Sequence, residues 1–265
     1  MGRDPGLEEA VKAMGGIGAL ARGLGISQPS VSTWRHVPAH RVLDVEALTG
    51  IRRTVLRPDL YPEPEAGAED GDEVEAARAI EYALIASLLL RPPDAEALAR
   101  LSRMQGDPTT PLGRAHGALA QAAAAASAEA VKREYFALFL GVGRGELVPY
   151  ASYYLTGFLN ERPLARLRGD MQRLGLERAD GHSDPEDHFG SLLEIMSGFA
   201  AGRFEASAAD QGAFFARHVA PWVERFFADL EGAQSARFYR AVAAVGRVFI
   251  DIEMQGFAME TRRSA

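Results

Sequence analysis

The sequence contains no cysteine, which removes disulfides, thiol catalysis and Cys-ligated zinc from consideration. Nor does it contain an apolar run approaching the roughly 18 residues of a membrane span. Its best stretch, Ile80 to Leu90, is short and carries Glu81. The opening residues, Met-Gly-Arg-Asp-Pro-Gly, lack the apolar segment of a signal peptide, so a cytoplasmic location is expected. Alternating strand patterns are scarce and alanine is plentiful, which favours helix. A net charge of -7 excludes a chain that binds nucleic acid by its overall charge. What remains is a chain of 265 residues, 47% of them hydrophobic. That is enough for one large domain, or for a small and a medium one.

The charge is unevenly spread. Up to Pro62, eight basic residues face six acidic ones, so the acidity lies beyond that point. The run Pro62-Glu63-Pro64-Glu65-Ala66-Gly67-Ala68-Glu69-Asp70-Gly71-Asp72-Glu73 combines proline, glycine and like charge with little to bury. Such a segment reads as a flexible, self-repelling linker. The expected organisation is therefore a module over residues 1–62, an acidic linker over 63–75 and a larger domain over 76–265. In the first module a helix is predicted from Leu7 to Met14, followed by two short helices and a fourth from Pro38 to Gly50. In the larger one, helices are predicted near Val74–Leu90, Asp94–Met104, Gly113–Ala126 and Ala128–Leu140. Further helices are predicted near Leu164–Leu174, Pro185–Ala201, Ala208–Leu230 and Gln234–Phe257. Both modules are all-α by this reading.

Residues Ile17 to Trp34 have the spacing of a helix-turn-helix. Ala21 falls where two helices touch, and Gly25 falls in the turn, where a left-handed backbone suits glycine. Leu20, Leu24, Ile26, Val31 and Trp34 fill the apolar positions. Ser27 suits the N-cap of the second helix, with Pro29 in its first turn. Gln28, Ser30, Ser32, Thr33 and Arg35 are left on or beside the outward face, with side chains of the kind that meet base edges and phosphates. An ordinary helical hairpin is the plainer alternative. The segment from residue 7 to 62, with Val37-Pro38-Ala39-His40-Arg41-Val42 and Leu56-Arg57-Pro58-Asp59-Leu60-Tyr61-Pro62, resembles the Cro-like regulators of the YdaS family. That resemblance implies double-stranded DNA as a partner. The second helix departs from the expected pattern in carrying little positive charge beyond Arg35, and phosphate contacts supply most non-specific affinity.

Four stretches of the larger module stand out. They are Tyr135-Phe136-Ala137-Leu138-Phe139-Leu140-Gly141, Pro149-Tyr150-Ala151-Ser152-Tyr153-Tyr154-Leu155, Asp184-Pro185-Glu186-Asp187-His188, and Phe214-Phe215 through His218 to Pro221-Trp222. In this order they resemble the TorD family of cytosolic chaperones for molybdenum-containing redox enzymes, especially its formate-dehydrogenase-associated branch, over about residues 76–258. The resemblance implies an all-helical protein; the residues themselves supply no convergent acid-base pair, so no enzyme and no cofactor are expected. By the resemblance, the protein would bind the leader peptide or apo form of an enzyme precursor during cofactor loading and before export. Some members take twin-arginine leaders as clients. A site for such a leader needs carboxylates beside an aromatic and aliphatic groove. The residues expected to form it are Tyr135, Leu138, Tyr150, Ser152, Tyr154, Asp184, Glu186, Asp187 and His188, with Tyr153 as a further aromatic face.

Plainer readings stand beside these. Asp184-Pro185-Glu186 reads equally as a helix start, His188 as a core histidine satisfied by Asp187, and Tyr135, Leu138 and Phe139 as core. Phe214, Phe215 and Trp222 are expected in the core with His218. No metal site is expected: His182, His188, Asp184 and Asp187 lack an HExxH arrangement. Ser152 lacks a nucleophile-elbow context, and Gly141-Val142-Gly143-Arg144-Gly145 follows a helix rather than a strand, so it is no dinucleotide fingerprint. The chief alternative function is a helix-turn-helix regulator whose helical domain senses a ligand or partner. A homodimer is left open.

Overall fold

The computed structural model describes residues 4–61, 68–177 and 185–263. The chain divides into two compact units, Met1–Asp72 and Glu73–Ala265. Among the described residues every regular element is helical, and the single extended pairing is an isolated bridge between Tyr150 and His188.

The smaller unit opens with α1 (Pro5–Ala13), whose Asp4 carboxylate accepts from the Gly6 N–H at 3.0 Å while Pro5 occupies the first turn. Then come α2 (Ile17–Gly23), α3 (Gln28–Ser32), a 3-10 turn (Ala39–Arg41), α4 (Val42–Thr49) and α5 (Arg53–Leu56). Leu7, Leu20, Ala21, Val31, Val42 and Leu56 converge in one core. Ala21 is buried where α2 meets α3, and Gly25 takes φ 65 in the turn between them. The helix predicted from Pro38 begins later, because Pro38 is extended (ψ 140) and a 3-10 turn intervenes; Gly50, at φ 72, ends α4 as predicted.

The larger unit runs from within α6 (Ala68–Leu90) through α7 (Ala95–Leu101), α8 (Pro111–Ala125) and α9 (Ala128–Tyr135), which widens into a π-turn (Phe136–Leu140). After these come α10 (Ala151–Thr156), α11 (Arg162–Arg173) and α12 (Phe189–Ala200). The chain ends with α13 (Ala208–Phe214), a second π-turn (Phe215–Val219), α14 (Ala220–Gly232) and α15 (Phe238–Arg263). Three expectations are corrected here. From Ala68 onward the acidic run is helix, not linker, since carboxylates suit the positive end of a helix. Pro185 to His188 form a turn, and α12 starts only at Phe189, because His188 is extended and caps it. The predicted long helix from Ala208 is interrupted by the π-turn before α14.

Helix α15 packs along α14 and α8. Phe189 sits between Trp222 (4.9 Å between ring centroids), Phe226 (4.9 Å) and Phe227 (5.3 Å), binding α12 to α14. Gly246 on α15 leaves room for the Phe227 ring, which any Cβ there would strike. Phe214, Phe215, Trp222 and His218 are buried, as expected.

Charges are also drawn inside. The Arg78 guanidinium on α6 donates to both Glu253 oxygens on α15, at 2.8 and 2.7 Å, and to Glu75 at 2.6 Å. The Tyr82 hydroxyl donates to the same Glu253 carboxylate at 2.5 Å. Burial works against the Arg78 charge, but its two carboxylate partners outweigh burial and raise its pKa. The His116 Nε2 on α8 lies 3.0 Å from both oxygens of the buried Glu81. That hydrogen bond raises the His116 pKa above 6.5, against the opposing effect of burial. A histidine whose folded pKa is raised contributes stability below about pH 6.5 and loses it as pH rises through the folded value. His116→Gln is therefore expected to lower the urea midpoint of the larger unit below that pH, with the deficit shrinking in alkaline buffer. His218 has the opposite sign: burial, outweighing Asp170, lowers its pKa, so its contribution is lost as pH falls below 6.5.

Candidate functional site

The turn before α12 is laced to the start of α10. The Ala151 N–H donates to the Asp187 carbonyl at 3.0 Å, and the Phe189 N–H donates to the Pro149 carbonyl at 2.8 Å. One Asp187 carboxylate oxygen accepts the Ser152 N–H at 2.8 Å, capping α10 from across the fold, since Tyr150 at the N-cap position makes no side-chain cap. His188 caps its own helix, its Nδ1 accepting the Gly190 N–H at 3.1 Å, and the Tyr150 ring stands edge-on to it at 5.0 Å. Asp187 is 1% exposed and His188 5%. Among the described residues, Asp187 Oδ1 and Ser152 Oγ are buried without a hydrogen-bond partner.

The residues expected at the site fall in different surroundings. Asp187, His188 and Ser152 are buried and hold two helix starts together. Leu138 is fully buried, and Tyr135 is buried with its hydroxyl directed to the Leu89 and Leu90 carbonyls, at 3.1 and 2.9 Å. Tyr135 still lines a mostly apolar cavity of about 670 Å³, together with the exposed Phe136 and Leu140, and Lys132 and Arg133 rim it. The Glu186 carboxylate is paired with Arg168 at 2.8 Å. Asp184 and His182 lie outside the described residues.

A second cavity, of about 700 Å³, lies between the loop Arg144–Val148, α10 and α14. Tyr154 lines it, alongside Tyr153. The Tyr154 ring rests on Trp222 (5.2 Å) and Phe226 (5.8 Å), and its hydroxyl donates to Asp229 Oδ2 at 3.1 Å. Burial, reinforced by Asp229, pushes the Tyr154 hydroxyl well above its ordinary value, so it stays protonated as a donor. Arg144 lies over the Tyr153 ring at 5.0 Å and donates to its hydroxyl at 2.5 Å. Arg225 lies over the Tyr154 ring at 5.6 Å and 3.9 Å from Asp229. The Glu146 carboxylate takes the N–H groups of Gln234 (2.9 Å) and Ser235 (3.2 Å), fastening the α14–α15 connection. At the end of α10 and just past it, Leu155, Phe158 and Leu159 are exposed. Sequence reasoning missed Arg144, Arg225, Asp229 and Glu146. Arg225 and Asp229 stand at i, i+4 on α14, a spacing found on many solvated helix faces, and Arg144 sits in a glycine run with no periodicity.

In the smaller unit, Ser27 caps α3, accepting the Ser30 N–H at 3.4 Å. Gln28, Ser30, Ser32, Thr33 and Arg35 are all exposed, as expected for an outward face. The Ser32 hydroxyl donates to the Gln28 carbonyl at 2.9 Å and that of Thr33 to the Ser30 carbonyl at 2.8 Å. The positive charge around this face is thinner than the count of arginines suggests. Arg41 pairs with Asp44 at 3.0 Å, and Arg53 with Glu46 at 3.0 Å. Arg57 is buried against Asp59 (2.6 Å) and the Val37 carbonyl (2.7 Å). Arg22 and Arg35 are exposed and carry no ion pair among the described residues.

Residues 105–228 match the family described as nitrate reductase delta subunit, and residues 7–65 match that described as bacterial toxin YdaS. Over these residues the larger unit is similar to chaperones of the TorD family. Chaperone protein TorD of Vibrio cholerae serotype O1 is 29% identical over 122 residues, 43% of this chain and 56% of that protein. TorD of Shewanella loihica is 24% identical over 208 residues, 70% of this chain and 95% of that one. The chain thus spans just over half the length of the first of these relatives. A solved structure from Archaeoglobus fulgidus, assigned to redox-enzyme maturation, aligns at TM-score 0.44 and 21% identity over 66% of this chain and 93% of its own. Among the described residues no helix is long and apolar enough to cross a membrane.

Proposed function

We propose that the larger unit is a non-catalytic maturation chaperone that holds the leader peptide or apo form of a molybdenum-containing redox enzyme, formate dehydrogenase being the client class. The carrying observation is the cavity beside α10 and α14, where two tyrosine faces adjoin the Asp229 carboxylate. A planar guanidinium can stack on a tyrosine while donating to a carboxylate, and a lysine ammonium makes that pair of contacts less well. The exposed Leu155, Phe158 and Leu159 offer an apolar ledge for the stretch that follows the arginines in a leader. The similarity to TorD chaperones supports the reading. Calorimetric titration with a twin-arginine leader peptide should show binding that falls several-fold when both arginines become lysine. Equal binding of both peptides would remove the twin-arginine version.

The smaller unit supports a second role, DNA contact through α3. Its outward polar face, capped by Ser27 and flanked by Arg22 and Arg35, favours that reading. With so few free cations, binding should be weak and shallow in its salt dependence unless two copies act together. In gel shifts at varied salt, Arg35→Ala is expected to weaken binding and flatten the log-log salt slope by about 1. An unchanged slope would remove Arg35 from the phosphate contacts.

A further inference from the structure

The cavity that the proposed function assigns to a client's arginines is lined by arginines of the chain itself. Arg144 reaches Tyr153 from the loop after the first π-turn. Gly141 (φ 64) and Gly143 (φ 88) allow that loop to fold back, and a Cβ at Gly141 would strike the Arg144 carbonyl. Its guanidinium covers the Tyr153 ring and donates to the hydroxyl. Arg225 reaches Tyr154 from α14 and shares Asp229 with the Tyr154 hydroxyl. Two consecutive tyrosines thus each carry one guanidinium, with Asp229 as the nearby carboxylate. Both arginines are exposed, Arg225 with 74% of its side chain accessible, so neither is locked in place by packing.

We infer that Arg144 and Arg225 are internal stand-ins for a client's paired arginines, and that they set the selectivity of this groove. The inference rests on the client reading above. Each guanidinium must be displaced before an incoming one can take its ring. A guanidinium replaces the internal contacts like for like. An ammonium lacks the planar face and the fork of donors, so it gives a poorer exchange. The internal pair therefore holds back weakly matching cationic segments while conceding to a twin-arginine one. The ordering of Tyr154 on Trp222 and Phe226 means that the rings do not have to be rebuilt when the arginines leave.

The test uses the full chain with a synthetic peptide of two consecutive arginines followed by a run of leucines, and its two-lysine counterpart. Before any peptide is added, the Arg144 and Arg225 side-chain NMR signals should be displaced by the tyrosine rings, and titration with the arginine peptide should return them to solvent-like positions. Removing the internal arginines as Arg144→Gln/Arg225→Gln should tighten the arginine peptide by roughly five- to thirtyfold, the scale of two exposed cation–π contacts. The same variant should tighten the lysine peptide by more, narrowing the difference between the two. Arg144→Lys/Arg225→Lys keeps the charge but gives up the planar stacking, and should show part of the gain. Three results overturn the inference while leaving the client reading intact. They are arginine-peptide binding without movement of the arginine signals, a Gln variant that binds no tighter, and a Lys variant identical to wild type, which would reduce the effect to charge repulsion. Absence of binding by wild type and every variant would overturn both together.

Discussion

Replacing Glu253 by alanine is expected to destabilise the larger unit by about 3–5 kcal/mol, the usual cost of stranding one member of a buried ion pair. Arg78 would keep the exposed-side Glu75 but lose two charge-assisted bonds while its side chain stays 16% accessible, and Tyr82 would lose its acceptor. For a unit of this size the loss corresponds to a drop in Tm on the order of 10 °C. The partner experiment is the double variant Arg78→Met/Glu253→Leu, which removes both charges and should recover most of that loss, because apolar packing commonly substitutes for a buried pair. A Glu253→Ala protein melting at the wild-type temperature would show that water already reaches the pair. The contact joins α6 to α15, so its loss should loosen the start of α6 first, visible as faster amide exchange near Arg78.

Alanine at Asp187 is expected to cost about 2–4 kcal/mol, from the lost cap on α10 and the buried Ser152 N–H left without an acceptor. Tyr153→Ala and Asp229→Ala, at half-exposed and exposed positions, should stay within about 1 kcal/mol of wild type. Peptide binding should follow the opposite order. Asp229→Ala should abolish most discrimination between arginine and lysine peptides at an unchanged Tm. Asp187→Ala should weaken binding in proportion to its instability and should recover binding on cooling. If Asp187→Ala abolished binding with no change in Tm, Asp187 would be a contact residue and its burial would have to be relieved in the working protein. That would return the site to the turn before α12.

Much of the architecture was legible from local chemistry. Ser27, Asp94, Thr110, Ser127 and Ser207 each cap a helix through the side chain, and hydroxyl or carboxylate residues at such positions mark helix starts in the sequence itself. The i, i+3, i+4 spacing of Tyr135, Leu138 and Phe139 likewise pointed to a buried face, which those three residues form. Short elements were harder. The six-residue α10 lacks a capping residue of its own, because its cap is Asp187, 35 positions away. The π-turns after α9 and α13 leave no local signal either, since the widening follows from packing rather than propensity.

The candidate site divides in the same way. Tyr154, singled out by its sequence context, lines a cavity, and Asp187 with His188 stood out as a distinctive pair. Their chemistry was legible, but which way they point was not. A carboxylate beside a histidine suits a cap as well as it suits a cationic ligand, and burial alone separates the two uses. Arg144, Arg225 and Asp229 become a group because a glycine-rich loop folds back over α10 while α14 passes beneath it.

By itself the sequence determined the helical class, the presence of a small helix-turn-helix module before a larger domain, and the outward polar face of α3. Those follow from periodicity, capping and turn chemistry, which act over a few residues. Tertiary structure decided that Asp187, His188 and Ser152 are inside, that Arg57 and Arg78 are spent on internal partners, and that the open cavity is walled by two tyrosines already bearing guanidinium groups. Burial and charge pairing join residues up to 175 positions apart, as between Arg78 and Glu253, and no local pattern records which distant partner each side chain will meet.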